Sequence, residues 1–124
     1  DIEWAYAAQG KDGRKWPWGA EFDSTRCNVG RDSLTRVDEF PSGESPFGVA
    51  DLVGNVWQLT NDVYDNGSYY FIIMRGGSYY HPTSSWWYVK GGPQPLDQHQ
   101  MLLRVATGFE RNGTVGFRCV MDSD

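Results

Sequence analysis

Phe47-Gly-Val-Ala-Asp51-Leu-Val-Gly54-Asn55-Val-Trp57-Gln58-Leu-Thr60 reads as a turn that runs into a strand. The oxygen-bearing, glycine-interrupted half, Asp51 to Asn55, has the composition of a turn. Gly54 to Thr60 then carries alternating bulky residues, which places Val56 and Gln58 on one face and Trp57 on the other. Downstream, Tyr69 to Arg75 is rich in β-branched and aromatic residues and stops at Gly76-Gly77, the pattern of a strand with a glycine terminator. Gln100 to Ala106 and Gly116 to Met121 are further strand candidates. In the last of these, Phe117, Cys119 and Met121 alternate against Arg118 and Val120. Upstream, Ile2 to Ala8 reads as the tail of a helix ended by Gly10. Pro17, Pro41 and Pro46 keep long helices and central strands out of residues 10–46, with room for a short extended piece at Thr35–Val37. Gly91 to Pro95 is a loop.

A chain of 124 residues fits one domain, 1–124. Its 15 glycines and six tryptophans point to a loop-rich fold whose core is built from rings rather than long aliphatic helices. A net charge of −5 with scattered acids argues against nucleic acid or a membrane surface as partner, since both need clustered cations. No apolar run approaches the roughly 20 residues that span a bilayer, so membrane insertion is not expected. Cys27 and Cys119 either form one disulfide or stay as two buried thiols, and their spacing excludes a local CxxC metal site.

Further fragments stand in order around the opening stretch: Glu3-Trp4-Ala5-Tyr6-Ala7-Ala8, Trp16-Pro17-Trp18-Gly19, Arg75-Gly76-Gly77-Ser78 and Gly116-Phe117-Arg118. Together with Asp51 to Thr60 the set resembles the formylglycine-generating enzyme (sulfatase-modifying factor) family, whose pattern runs EW-x-YAA, PWG, FGL-x-D-x-x-GNVWEWT, RGGS, GFR. The resemblance covers nearly the whole chain. It implies an α+β, loop-rich domain with few short strands and little helix, of the modified C-type-lectin-like type. It also implies a chain that matches the C-terminal part of the usual domain, N-terminally truncated relative to the family, with an upstream segment or partner chain missing.

The resemblance carries specific site expectations. A calcium site of the family uses the positions of Asp51, Gly54, Val56 and Gln58, the last normally glutamate; glutamine keeps an oxygen and removes a charge. A second would begin at Asn28 and Val29, with Asp32 as a guess at its carboxylate. The family's copper enzymes place two cysteines, five residues apart, after the serine of RGGS. Here those positions are His81 and Trp86, neither a thiol, so the soft donors that Cu(I) demands are absent and no catalytic residue is assigned.

What remains is a ligand face of Ser78, Tyr80, His81, Trp86, Trp87 and Arg104, where rings can stack on a flat ligand and an arginine can hold a carboxylate. Small-molecule, glycan and protein ligands all stay open. Arg75 and Arg118 are read instead as ties between loops through backbone carbonyls, and Asn55 as a residue that satisfies buried backbone groups. The reading is therefore a binding module, calcium-stabilised, with an extracytoplasmic setting favoured. The alternative is the substrate-binding part of a non-haem iron oxidoreductase of the ergothioneine-synthase-like kind, with iron as cofactor and His81 or His99 near it.

Overall fold

Five regular elements and a web of loops carry the fold, in a computed structural model that describes residues 1–30, 32–80, 92–103 and 113–122. Helix α1 spans Ile2–Gln9, and strands β1 to β4 span Trp57–Asp65, Tyr70–Arg75, Gln100–Leu103 and Val115–Gly116. The sheet order is β3-β2-β1-β4. The β1–β2 and β2–β3 pairs are antiparallel, whereas β4 lies parallel to β1 through Trp57↔Val115 and Gln58↔Gly116. Among the described residues the result is a small sheet with one α-helix, two short 3-10 turns at Ser24–Arg26 and Pro41–Gly43, and much irregular chain.

The β1–β2 hairpin is regular at both ends and irregular between Leu59↔Met74 and Val63↔Ile72. There the Thr60 hydroxyl donates to the Ile73 carbonyl at 2.9 Å, which fills a ladder position that the bulge would leave open. At the hairpin tip, Asn66 Oδ1 accepts from the Ser68 and Tyr69 amides. Burial decays along β1: Trp57 and Gln58 are buried and residues 61–65 are exposed. Only the end of the sheet nearest the turn is therefore covered on both faces.

The core lies beside that end. Trp4 and Ala8, one helical turn apart on α1, pack with Cys27, Leu52, Val53 and Leu96, and the Trp16 and Trp18 rings lean on the cluster. Gly10 ends α1 at φ 70°, with its amide donating to the Tyr6 carbonyl. Arg75 ties helix to loop as the sequence suggests. Its guanidinium donates to the Leu96 and Gln98 carbonyls at 3.1 Å, forks onto the Asp1 carboxylate at 2.6 and 2.8 Å, and sits 5.9 Å from the Trp4 ring.

Two extended pieces expected from the sequence do not form strands. Thr35–Val37 is irregular, because the Thr35 amide and carbonyl are taken by the Asn55 side chain and need no strand partner. Of Gly116–Met121 only Gly116 belongs to a strand. Beyond it Phe117, Val120 and Met121 are all exposed, so their alternation faces no core. The two cysteines are free, Cys27 buried and Cys119 exposed, which is neither the disulfide nor the pair of buried thiols.

Gly76 shows why the RGGS segment needs glycine. Its φ is 91°, and a Cβ would collide with the Leu52 carbonyl oxygen, a backbone atom that cannot swing away. Gly76→Ala is expected to cost about 3 kcal/mol or more, from the strained φ and the forced separation of two loops. Chemical denaturation of the variant against the parent measures it.

Candidate functional site

The turn before β1 approaches the Asn28 segment closely enough to exclude a side chain. Gly54 adopts φ 75°, and a Cβ there would lie 2.6 Å from the Asn28 carbonyl oxygen. The same carbonyl accepts from the Asn55 amide at 3.2 Å, while the Gly54 amide donates to the Gly76 carbonyl at 3.0 Å. Asp51 and Asn55 are themselves left-handed, at φ 55° and 61°, conformations that these short polar residues tolerate better than most. The two segments named for calcium thus adjoin one another.

Asn55 orients Asn28. Its Oδ1 accepts from the Thr35 amide at 3.1 Å and from Asn28 Nδ2 at 3.0 Å, and its Nδ2 donates to the Thr35 carbonyl at 3.4 Å. Asn28 Nδ2 also donates to the Ser33 carbonyl at 3.0 Å. Both donors of Asn28 are thereby spent, and its Oδ1, wholly buried, is left without a partner. Asp51 Oδ2 is a second buried oxygen without a hydrogen-bond partner. Burial pushes the Asp51 carboxyl up to about 6, against the pull of Arg118 and with a smaller push from Asp38. Arg118 itself donates to the Ala50 carbonyl at 2.7 Å, again a tie between loops.

The side-chain oxygen of Gln58, expected as a metal ligand, already accepts a hydrogen bond within the protein. Gln58 is 2% exposed, so it is not a surface residue either. Its Oε1 accepts from the Trp4 indole N–H at 2.9 Å, and its Nε2 donates to the Asp51 and Leu52 carbonyls, each at 3.0 Å. Exchanging the amide ends would set oxygen against two carbonyls and nitrogen against an indole N–H, so the three partners fix the orientation. A glutamate here would face those two carbonyls with an oxygen and need a cation or proton between them. The glutamine amide supplies N–H donors instead. Of the six expected metal positions, Asn28 and Asp51 therefore present unpartnered side-chain oxygens that fit a hard cation. Gln58 does not, and Gly54, Val56 and Val29 could contribute only main-chain carbonyls. Among the described residues no three His, Cys, Asp or Glu side chains cluster.

On the ligand face, Ser78 is completely buried just past β2, and its Oγ accepts from the Tyr80 amide at 3.3 Å. The Tyr80 ring is exposed and Tyr79 is partly buried. His81, Trp86, Trp87 and Arg104 lie outside the described residues. Beside Trp4 there is a mostly apolar pocket of about 180 Å³, bordered by Leu52, Leu59 and Arg118.

Comparison with known proteins agrees with the motif order. Residues 1–123 match the family described as Sulfatase-modifying factor enzyme 1-like domain. The chain belongs to this sulfatase-modifying-factor family. Among its relatives is "Inactive C-alpha-formylglycine-generating enzyme 2" of Bos taurus, 31% identical over 77 residues, covering 52% of this chain and 26% of that protein. The Mus musculus protein of the same name is 33% identical over 78 residues, covering 52% and 25%. "Serine/threonine-protein kinase Pkn1" of Chlamydia trachomatis is 36% identical over 70 residues, covering 56% and 11%. The chain thus aligns with about a quarter or less of the length of these relatives.

Within the sulfatase-modifying-factor pattern, the sequence located the glycines and Asn55, but it missed Trp4 and Thr35 as the partners that orient Gln58 and Asn55. The tryptophan of Glu3-Trp4 in the EW motif was the available signal for the first; nothing marked Thr35 for the second.

Two outcomes test this geometry. Gln58→Glu is expected to destabilise the metal-free protein by about 1–3 kcal/mol, the cost of stranding two buried carbonyls, read by denaturant unfolding in chelator. Asp51 titrates at about 6 rather than the ordinary 3.8, so the folded state favours its neutral form. Its contribution is full below about pH 4 and is lost as pH rises through about 6. Subtracting the Asp51→Asn stability profile from that of the parent in metal-free buffer should therefore leave a term that falls across this window.

Proposed function

We propose that this chain is a non-catalytic member of the sulfatase-modifying-factor family, a ligand- or partner-binding module steadied by calcium. Its scaffold is taken to be the modified C-type-lectin-like one that the motif order implies. The observation that carries the reading is the placement of sulfur. The positions of the copper enzymes' cysteines hold His81 and Trp86, and the chain's two thiols are elsewhere. Cys27 is buried in the core, and that burial, with Asp23 and Asp51 nearby, pushes its thiol up to about 12; Cys119 is exposed. A thiol so reluctant to ionise is a poor metal ligand or nucleophile. Two mammalian relatives that carry "inactive" in their names support the same reading.

Binding is assigned to the segment after β2. Ser78 is the buried anchor, Tyr80 the exposed ring, and His81, Trp86 and Trp87 are the neighbours in sequence that would supply stacking and polar contacts, joined by Arg104, the residue after β3. Calcium would be held by Asn28 with the Val29 carbonyl and by Asp51 with the Gly54 and Val56 carbonyls. It would satisfy the two orphaned oxygens, with Gln58 contributing none. Nothing among the described residues or the relatives favours the iron-handling alternative.

Incubated with copper(I), oxygen and a cysteine-containing sulfatase-type peptide, the full chain should yield no aldehyde above a protein-free control. Aldehyde formation would overturn the non-catalytic reading. Calcium is expected to raise the unfolding midpoint at pH 7 by about 3 °C or more. Asn28→Ala and Asp51→Asn should each reduce that increment. An identical midpoint in calcium and in chelator would remove calcium from the proposal.

A further inference from the structure

We propose that the groove formed by Trp18, Glu21, Phe22 and Arg26 binds a neutral saccharide, at a site built from residues other than those after β2. The groove is a shallow, open concavity of about 560 Å³ on the surface. Its lining is mixed, with the Trp18 and Phe22 rings among polar residues. Trp16 and Gly19 exchange backbone hydrogen bonds at 3.0 Å across Pro17-Trp18, and this tight turn stacks the Trp16 and Trp18 rings 5.9 Å apart at an 11° interplanar angle. Phe22 leans on both, with centroids at 4.9 and 6.4 Å, and remains 44% exposed.

The chemistry of these groups narrows the ligand. Trp18 spends its one polar group on the Glu21 carbonyl at 2.9 Å, so toward the groove it has only ring to offer. Such a surface suits the C–H face of a pyranose. Polar groups of both kinds border the rings: the exposed Glu21 carboxylate accepts, the Ser24 hydroxyl does either, and Arg26 donates. An anion would meet Glu21 and Asp23, and a cation would meet Arg26, whereas sugar hydroxyls pair with both. Asp23 caps the turn at Thr25 with a 3.0 Å bond and holds Arg26 at 3.1 Å, and Arg26 Nη1 donates to the Ser42 carbonyl at 2.8 Å. These bonds set the groove's walls before any ligand arrives, which lowers the cost of ordering on binding.

The test titrates the full chain, in chelator, with maltohexaose, cellohexaose and chitohexaose, each up to about 10 mM. Tryptophan fluorescence and two-dimensional NMR report binding. At least one of the three should bind saturably and perturb the Trp18 indole resonance. Phe22→Ala should weaken that binding about tenfold or more, and Glu21→Gln several-fold, with the unfolding midpoint of each variant unchanged. Absence of saturable binding to all three overturns the proposal, as does binding that survives both substitutions. Chelator keeps the result separate from the calcium assignment, and the Trp18 resonance with the Phe22 and Glu21 variants keeps it separate from the segment after β2.

Discussion

The Gln58 carboxamide is the contact on which the rest of the arrangement depends. One side chain, almost wholly buried, receives the Trp4 indole N–H from the helix and donates to two consecutive carbonyls of the turn before its own strand. Helix, turn and sheet therefore meet at a single planar group with fixed polarity. Each of the three bonds contributes about 1 kcal/mol net, but leaving any of these buried groups unpaired costs more than making the bond gains. Around it, Leu52, Trp57 and Met74 are buried to within 1% exposure and supply the apolar mass. They do not set the geometry of the turn; the hydrogen bonds do.

A second layer of the same design lies next to it. Asn55, itself left-handed, binds both backbone groups of Thr35 and holds Asn28 by its amide. Segments with no regular structure are thus fixed by side chains that imitate a strand partner. Close approach at Gly54 and Gly76 makes this possible, since either residue with a Cβ would push the loops apart. The arrangement leaves two acceptors, Asn28 Oδ1 and Asp51 Oδ2, buried without a hydrogen-bond partner. The third buried side-chain atom without a hydrogen-bond partner among the described residues is the Trp57 indole nitrogen, a donor rather than an acceptor.

Much of this frame was legible in the chain itself. The end of α1 follows from Gly10, and β2 from its β-branched and aromatic content up to Gly76. Alternation over residues 54–60 marks β1, although the strand runs Trp57–Asp65, because its exposed outer half carries no such pattern. Thr35–Val37 misled because its residues have strand propensity while its hydrogen bonds go to a side chain 20 residues away. Gly116–Met121 misled because alternation predicts two faces but not a core to bury one of them, and Phe117 and Met121 are exposed. Gln58 was named from motif position as an oxygen donor. Which end of its amide points inward is decided by Trp4, 54 residues earlier, a fact no local pattern carries. The separation of Cys27 into the core and Cys119 onto the surface is likewise a tertiary outcome.

The tie between Asn55 and Thr35 has a dynamic corollary. In most small domains, slow amide-proton exchange traces the ladders of helix and sheet. Here the outer half of β1, residues 61–65, is solvent-exposed, while in irregular chain the Thr35 amide is held by the Asn55 carboxamide and the Asn55 amide by the Asn28 main-chain carbonyl. Protection from exchange at Thr35 and Asn55 would then mark chain that a ribbon drawing shows as coil, set by one carboxamide and one main-chain carbonyl rather than by a ladder.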